Sequence, residues 1–205
     1  MMEANSKTKI YFNIRKTTLE MIQDRGFKVS DEDLMMTYQD FSNRLEENQI
    51  NIVALHQSSN SKGIYVHHIL ETKTFSKKDL LNLKLFMDEN YPTKEMTVII
   101  ITQDKPTPQI AKELLNDEFK LYEVFLTKML MFNITHHELV PKHVVLTEEE
   151  AKKVIDDFDA TKSQLPKLLP TDPVAKYYGM KTGTICKIIR NSQMTGESIY
   201  YRIVK

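Results

Sequence analysis

Three of the six histidines, His136, His137 and His143, crowd into "THHELVPKH", a stretch that raises a metal centre. Neutral imidazole binds zinc well, but a structural zinc needs four protein ligands and a catalytic zinc needs three plus an open position. Adjacent His136 and His137 would point to opposite sides of an extended chain. His143 lies beyond Pro141, and no cysteine stands near. The set therefore reads as hydrogen-bonding histidines at a junction. His67-His68 fails the same test: on a strand one ring would face the core and the other solvent. Cys186, in "TICKIIR", would share a strand face with Thr184 and Ile188. That fits a small buried hydrophobe. A nucleophilic thiolate needs a neighbouring base and an electropositive mouth. A Mg²⁺-dependent nuclease would need clustered carboxylates with a lysine. Asp88 and Glu95 in "MDENYPTKE" supply the residue types but no assembled ligand set. A divergent nuclease remains the enzymatic alternative, testable as Mg²⁺-dependent cleavage lost on mutating Asp88 or Glu95. The five glycines form neither GxGxxG nor a P-loop, and no GxSxG elbow is present. The expectation is a non-enzyme with no metal and no cofactor.

Bulk chemistry narrows the class further. Twenty-eight basic residues balance 28 acidic ones. Residues 134–205 hold 11 Lys+Arg and 9 Asp+Glu, and residues 1–133 hold 17 and 19. Neither part is a basic clamp for nucleic acid. A lone cysteine excludes an intrachain disulfide and favours a reducing compartment. No apolar run approaches the ~18 residues of a membrane span, and "MMEANSKTK" lacks the apolar core of a secretory signal. The expected location is cytosolic or nuclear.

The elements that would position these residues fall into two sets. In the first, "IYFNIRKTTLEMIQDRGF" repeats apolar residues at helical spacing and ends at Gly26. "VSDEDLMMTYQDFSNRLEE" reads as one second helix, capped by Ser30. "INIVALHQ" and "GIYVHHIL" flank a turn and read as an antiparallel hairpin. "SKKDLLNLKLFMDEN" is a helix capped by Ser76, and "EMTVIIITQ" a central strand covered on both faces. "PTPQIAKELLN" is a helix and "FKLYEVFLT" a strand. This makes an α/β layer with helices around a small mixed sheet.

After Asn133 the pattern restarts. "ELVPKHVVL" is a short extended stretch that Pro141 keeps from a central place. "TEEEAKKVIDDF" opens with a capping box, Thr147 with Glu150. Asp172 caps a helix that has Pro173 at its first position and Gly179 as terminator. "GTICKIIR" and "ESIYYRIVK" form two strands joined by "NSQMTG". This is a small α+β module. The expected domains are 1–133 and 134–205.

"NITHHELVPKHVVLTEEE" resembles the segment joining the two domains of the fifth common subunit of the eukaryotic nuclear RNA polymerases. The archaeal counterpart of that subunit is similar to the second domain alone. The resemblance runs on through "SQLPKLLPTDPVAKYYGMKTGTICKIIRNSQMTGESIYYRIVK". "TTLEMIQDRGF", "YQDFSNRL" and "TPQIAKEL" carry it collinearly through the first domain. It implies a nuclease-like jaw domain without nuclease activity near downstream DNA, and an assembly domain docked on the largest polymerase subunit. The more divergent first domain points to a homologue encoded by a large cytoplasmic DNA virus. Such a copy would work in the cytoplasm of an infected cell and in the virion, and a cellular one in the nucleus. A free-standing adaptor binding transcription regulators is the other alternative.

The resemblance also implies residues. A docking face needs aliphatic or aromatic anchors with a polar rim. "LPKLLPTDPVAKYYG" offers Leu165, Leu168 and Tyr178 as anchors, with Lys167, Asp172 and Lys176 as rim. Lys167 and Lys176 stand where the family carries arginine, and lysine lacks the bidentate fork. Lys187, Arg190 and Arg202 are expected to face or flank the partner. Lys105, Thr107 and Pro108 in "QDKPTPQ" are expected to face DNA, and only within the complex. Gln109 and Ile110 depart from the family's Ser and Ala there, and Asp104 adds an opposing charge.

Overall fold

The computed structural model describes residues 2–47, 50–59, 61–69, 75–192 and 196–205. The chain divides into two compact units, Met1–Phe132 and Asn133–Lys205.

The first unit is built on a five-stranded mixed sheet in the order β1-β2-β3-β4-β5: β1 (Phe27–Lys28), β2 (Ile52–His56), β3 (Lys62–His68), β4 (Glu95–Thr102) and β5 (Tyr122–Leu126). β2 and β3 pair antiparallel, while β3, β4 and β5 run parallel. β4 has a neighbour on each side, and six of its eight residues are buried. That is why its apolar run is continuous rather than alternating. One face packs on α4 (Lys77–Asn90): Tyr65, Val98 and Ile100 meet Leu80, Leu83 and Met87. Against the other lies α1 (Met2–Asp24), and Arg25, just past its end, donates to Glu123 and lies over the ring of Phe125 on β5. α1 buries Ile14, Thr18, Met21 and Ile22, and the Thr18 hydroxyl is satisfied by the Ile14 carbonyl at 2.7 Å.

The second helix departs from expectation. It is two helices, α2 (Asp31–Leu34) and α3 (Tyr38–Glu46). Ser30 caps the first. Thr37 then accepts from the Asp40 N–H while the Asp40 carboxylate accepts from Thr37, a capping box that starts the chain afresh. Phe41 is buried, but Leu34 and Met35 are left exposed. Thr37→Ala should cost about 1 kcal/mol, read as a lower urea midpoint with the m-value unchanged. An unchanged midpoint would remove the cap from the account. Other differences are smaller. β1 and, in the second unit, β7 have two residues each, too short to leave a periodic signal. The strand expected from Phe119 begins at Tyr122, with Phe119 in a 3₁₀ turn. Part of the "SSNSK" turn (Asn60) lies outside the described residues, as do Gln193–Thr195 of "NSQMTG".

His67 and His68 also differ from the expected one-in, one-out arrangement. Helices cover both faces of β3, so neither ring points freely into solvent. Each has an Nδ1 shut off from water with no hydrogen-bond partner among the described residues. His68 is half-buried as a whole residue, but the enclosed nitrogen decides its titration. Burial, then the charge of Arg15, pushes it down to about 3. Burial lowers His67 as well. A histidine depressed in the folded state stabilises fully above the unfolded value near 6.5, and that stability is lost as pH falls toward 3. Stability should drop on the order of 2 kcal/mol between pH 7 and 5. His68→Gln should flatten that slope in urea unfolding at the two pH values. An equally steep slope would assign the acid sensitivity elsewhere.

The second unit carries a four-stranded sheet, order β6-β8-β9-β7, from β6 (Lys142–Val145), β7 (Lys167–Leu168), β8 (Ile185–Ser192) and β9 (Gly196–Val204). β6, just after Pro141, is an edge strand, as a proline requires. α6 (Glu148–Asp157) starts in the Thr147–Glu150 capping box. α7 (Pro173–Tyr177) starts at Asp172, whose Oδ1 accepts from the N–H groups of Val174 and Ala175 at 2.8 and 3.3 Å. Gly179, at φ 62°, ends it in a conformation that suits glycine. Leu168, Ala175, Met180, Cys186, Ile188 and Val204 form the core. Cys186 is wholly enclosed and burial pushes its thiol up, so it is a packing residue rather than a nucleophile.

Candidate docking groove and its relatives

Register places the charged residues of the second unit. β8 and β9 pair antiparallel with Cys186 opposite Arg202, Ile188 opposite Tyr200 and Arg190 opposite Ser198. Opposed residues share a face, so Arg190, Tyr200 and Arg202 lie on one side, with His143 opposite Ile188 from β6. The Arg190 guanidinium rests over the Tyr200 ring, 5.9 Å from its centroid. Arg202 donates to the Lys167 carbonyl at 3.4 Å. Asp172 and Val174, at the start of α7, wall one side, and Leu139–Pro141 the other. These residues line a groove of about 640 Å³. Its rim carries apolar surface: Leu139 is 85% exposed, Phe158 62% and Tyr200 52%.

Of the residues expected to bind a partner, Leu165, Leu168, Asp172, Arg190 and Arg202 come together here. Lys167 is exposed beside Arg202. Lys176 and Tyr178 are half-buried at the end of α7, where the Tyr178 ring meets Tyr177 edge-on at 5.1 Å. Two expectations need correction. Leu168 is 7% exposed and packs in the domain's own core, so it lines the groove with little surface to offer as an anchor. The leucine that β7 leaves outside is Leu169, 64% exposed. In "KLL" either leucine satisfies an anchor pattern, and the pairing of Leu168 with Val204 settles which turns inward. Lys187 does not share a face with Arg190. Strand alternation sends it to the opposite side with Tyr201, near Glu150 of α6. Sequence reasoning missed His143, Phe158, Ile199 and Tyr200 as groove residues. The available signal was "SIYY", a strand with bulky apolar residues at consecutive positions and so on both faces.

In the first unit, Lys105 is exposed ahead of α5 (Pro108–Glu113). Thr107 is the N-cap, its hydroxyl accepting from the Ile110 N–H, and Pro108 has no N–H to give. This leaves the turn poorly equipped to cradle a phosphate. Asp88 lies on α4, while Glu95 opens β4 and pairs with Lys62 at 3.9 Å. Among the described residues no group of three His, Cys, Asp or Glu could hold a metal ion, and no helix is long and apolar enough to cross a membrane.

Fold and surface together define a two-unit protein with an apolar, arginine-bearing groove in its second unit. Residues 132–204 match the family described as RNA polymerase Rpb5, C-terminal domain, and residues 5–83 match RNA polymerase Rpb5, N-terminal domain. The chain is 34% identical over 215 residues to the Caenorhabditis briggsae DNA-directed RNA polymerases I, II, and III subunit RPABC1, covering 100% of both chains. It is 32% identical to the corresponding Dictyostelium discoideum subunit, covering 93% of this chain and 94% of that one. Against the Arabidopsis thaliana DNA-directed RNA polymerases IV and V subunit 5B it is 30% identical, covering 95% and 89%. The chain belongs to the Rpb5 family of RNA polymerase subunits.

Proposed function

We propose that this chain is a non-catalytic subunit of a multisubunit DNA-directed RNA polymerase. Its second unit is the assembly domain and docks on the largest subunit. Its first unit is the jaw domain, part of the lower jaw near downstream DNA. The observation that carries this reading is the groove: Arg190 and Arg202 set among exposed aromatic and aliphatic residues, in the unit that matches the family's C-terminal domain. Lys167, Asp172, Lys176 and Tyr178 flank the docking face. The compartment follows the polymerase: cytoplasm and virion for a virus-encoded copy, nucleus for a cellular one.

A mild pull-down of the tagged chain from its native cells tests this. Stoichiometric recovery of the two largest polymerase subunits supports it. Recovery of the chain alone, or with small regulators only, sinks it.

Lys105, Thr107 and Pro108 would approach DNA only inside the complex. Residues 1–133 carry two more acids than bases, and the α5 turn has little left to offer a phosphate. Phosphate neutralisation by clustered Lys and Arg supplies essentially all non-specific affinity. The isolated protein should show no shift of duplex DNA in a gel at physiological salt. A tight shift would give the first unit an independent nucleic-acid role.

A further inference from the structure

We infer that the groove receives an extended segment of a neighbouring polymerase subunit, which adds to the sheet as a new strand along the open edge of β9. The inference rests on the subunit reading above and specifies how that docking is made.

Three observations carry it. First, β7 pairs with β9 only at Ile203 and Val204. No described strand continues the ladder on that side along Glu197–Tyr201. Second, the backbone faces outward there. Ile203 donates its N–H to Pro166 on the β7 side, whereas Val204 donates to Thr184 on the β8 side. Peptide groups alternate along a strand, so Ile199 and Tyr201 turn their N–H and C=O groups to the same side as Ile203, into the open edge. Third, the groove is lined by four consecutive residues of β9, Ile199, Tyr200, Tyr201 and Arg202, rather than by alternate ones. A groove running along the free edge of β9 would be lined by consecutive residues in this way.

The surroundings define the occupant. Five residues of edge span about 17 Å. Side chains of an added strand alternate between faces. Those on the Arg190 and Arg202 side meet two guanidinium groups and the Tyr200 ring, which suit Asp or Glu. Those on the other side meet Ile199, Tyr201 and Phe158, whose ring packs against Tyr201 at 5.7 Å, and they suit Val, Ile or Leu. The partner is therefore a segment of about five residues with alternating acidic and branched apolar side chains. Main-chain bonds give it affinity and the alternation gives it register.

Hydrogen exchange read residue by residue, on the chain alone and in purified polymerase, tests the inference. The amides of Ile199 and Tyr201 should slow at least tenfold in the complex. Those of Tyr200 and Arg202, already directed to β8, should be slow in both. Equal exchange at 199 and 201 in an intact complex overturns the strand addition while leaving the subunit reading standing. Failure to recover any polymerase overturns both. Slow exchange already present in the free chain at dimer mass assigns the edge to a second copy and overturns the proposal. Ile199→Pro gives an independent check, because proline is tolerated at a sheet edge and removes one outward N–H. Its thermal midpoint should stay near the parent's while retention on polymerase falls at least tenfold. Undiminished retention would count against the added strand.

Discussion

Replacing Arg15 by alanine should destabilise the first unit by about 3–5 kcal/mol, a large part of the 5–15 kcal/mol that holds a typical domain together. Arg15 has a side chain only 4% exposed, on a helix facing the sheet. Its guanidinium donates to the Ile50 carbonyl at 3.1 Å and pairs with Asp33, tying α1 to α2 and to the start of β2. Burial pushes its pKa down and Asp33 pushes it back up, so the ion is held charged by that partner. Truncation leaves the Ile50 carbonyl without its donor, and Asp33 with the Ser30 hydroxyl at 2.8 Å and, as its cation, only Arg44, 3.8 Å away and 42% exposed. The cost of a broken buried pair is mostly that of the stranded partner. Arg15→Met combined with Asp33→Leu should therefore be less destabilised than Arg15→Ala. Arg44→Ala should cost under about 1 kcal/mol, as exposed pairs do. Urea unfolding of the four proteins decides the matter. A small loss in Arg15→Ala would mean that water replaces the guanidinium.

Reversing both groove charges, Arg190→Glu with Arg202→Glu, should weaken assembly roughly 100-fold or more, the scale of losing charge partners that become desolvated on docking. Both side chains are exposed in the free chain, so its own stability should move by no more than about 0.5 kcal/mol. Lys187→Glu, on the opposite face, should weaken assembly far less. Competition for limiting polymerase between tagged variant and untagged parent measures both effects on assembly. If Lys187→Glu proved the more damaging, the docking face would be the α6 side of the sheet. If the double reversal left assembly intact, the groove would not be the docking site.

Much of this was legible in the sequence itself. Ser30, Ser76, Thr147 and Asp172 announce helix starts because a cap is a bond between residues two or three apart, and such bonds are written in local spacing. The run from Met96 to Thr102 announces a covered strand for the same reason, since burial on both faces removes polar residues from the string. Family membership was legible through "SQLPKLLPTDPVAKYYG" and the strands after it. The break at Met35 was not, because the Thr37 capping box lies inside a pattern that stays helical in periodicity across it.

The groove was legible only in part. Arg190 and Arg202 could be picked out as strand cations, but Lys187 was grouped with them. Lys187 and Arg190 are three apart on β8, so alternation already sends them to opposite faces; placing Arg202 beside Arg190 takes the register of β9 against β8. Leu168 and Leu169 are equivalent as letters. One register, Leu168 beside Val204 in the parallel pair of β7 and β9, sends the first inward and the second out. The open edge of β9 could not be read at all, since it exists because β7 is two residues long and pairs only at the strand's end. Short-range chemistry set the helices, the covered strand and the family. Strand pairing, between β8 and β9 and between β7 and β9, set which side chains and which backbone groups face a partner, because those contacts join segments whose local sequences hold no record of each other.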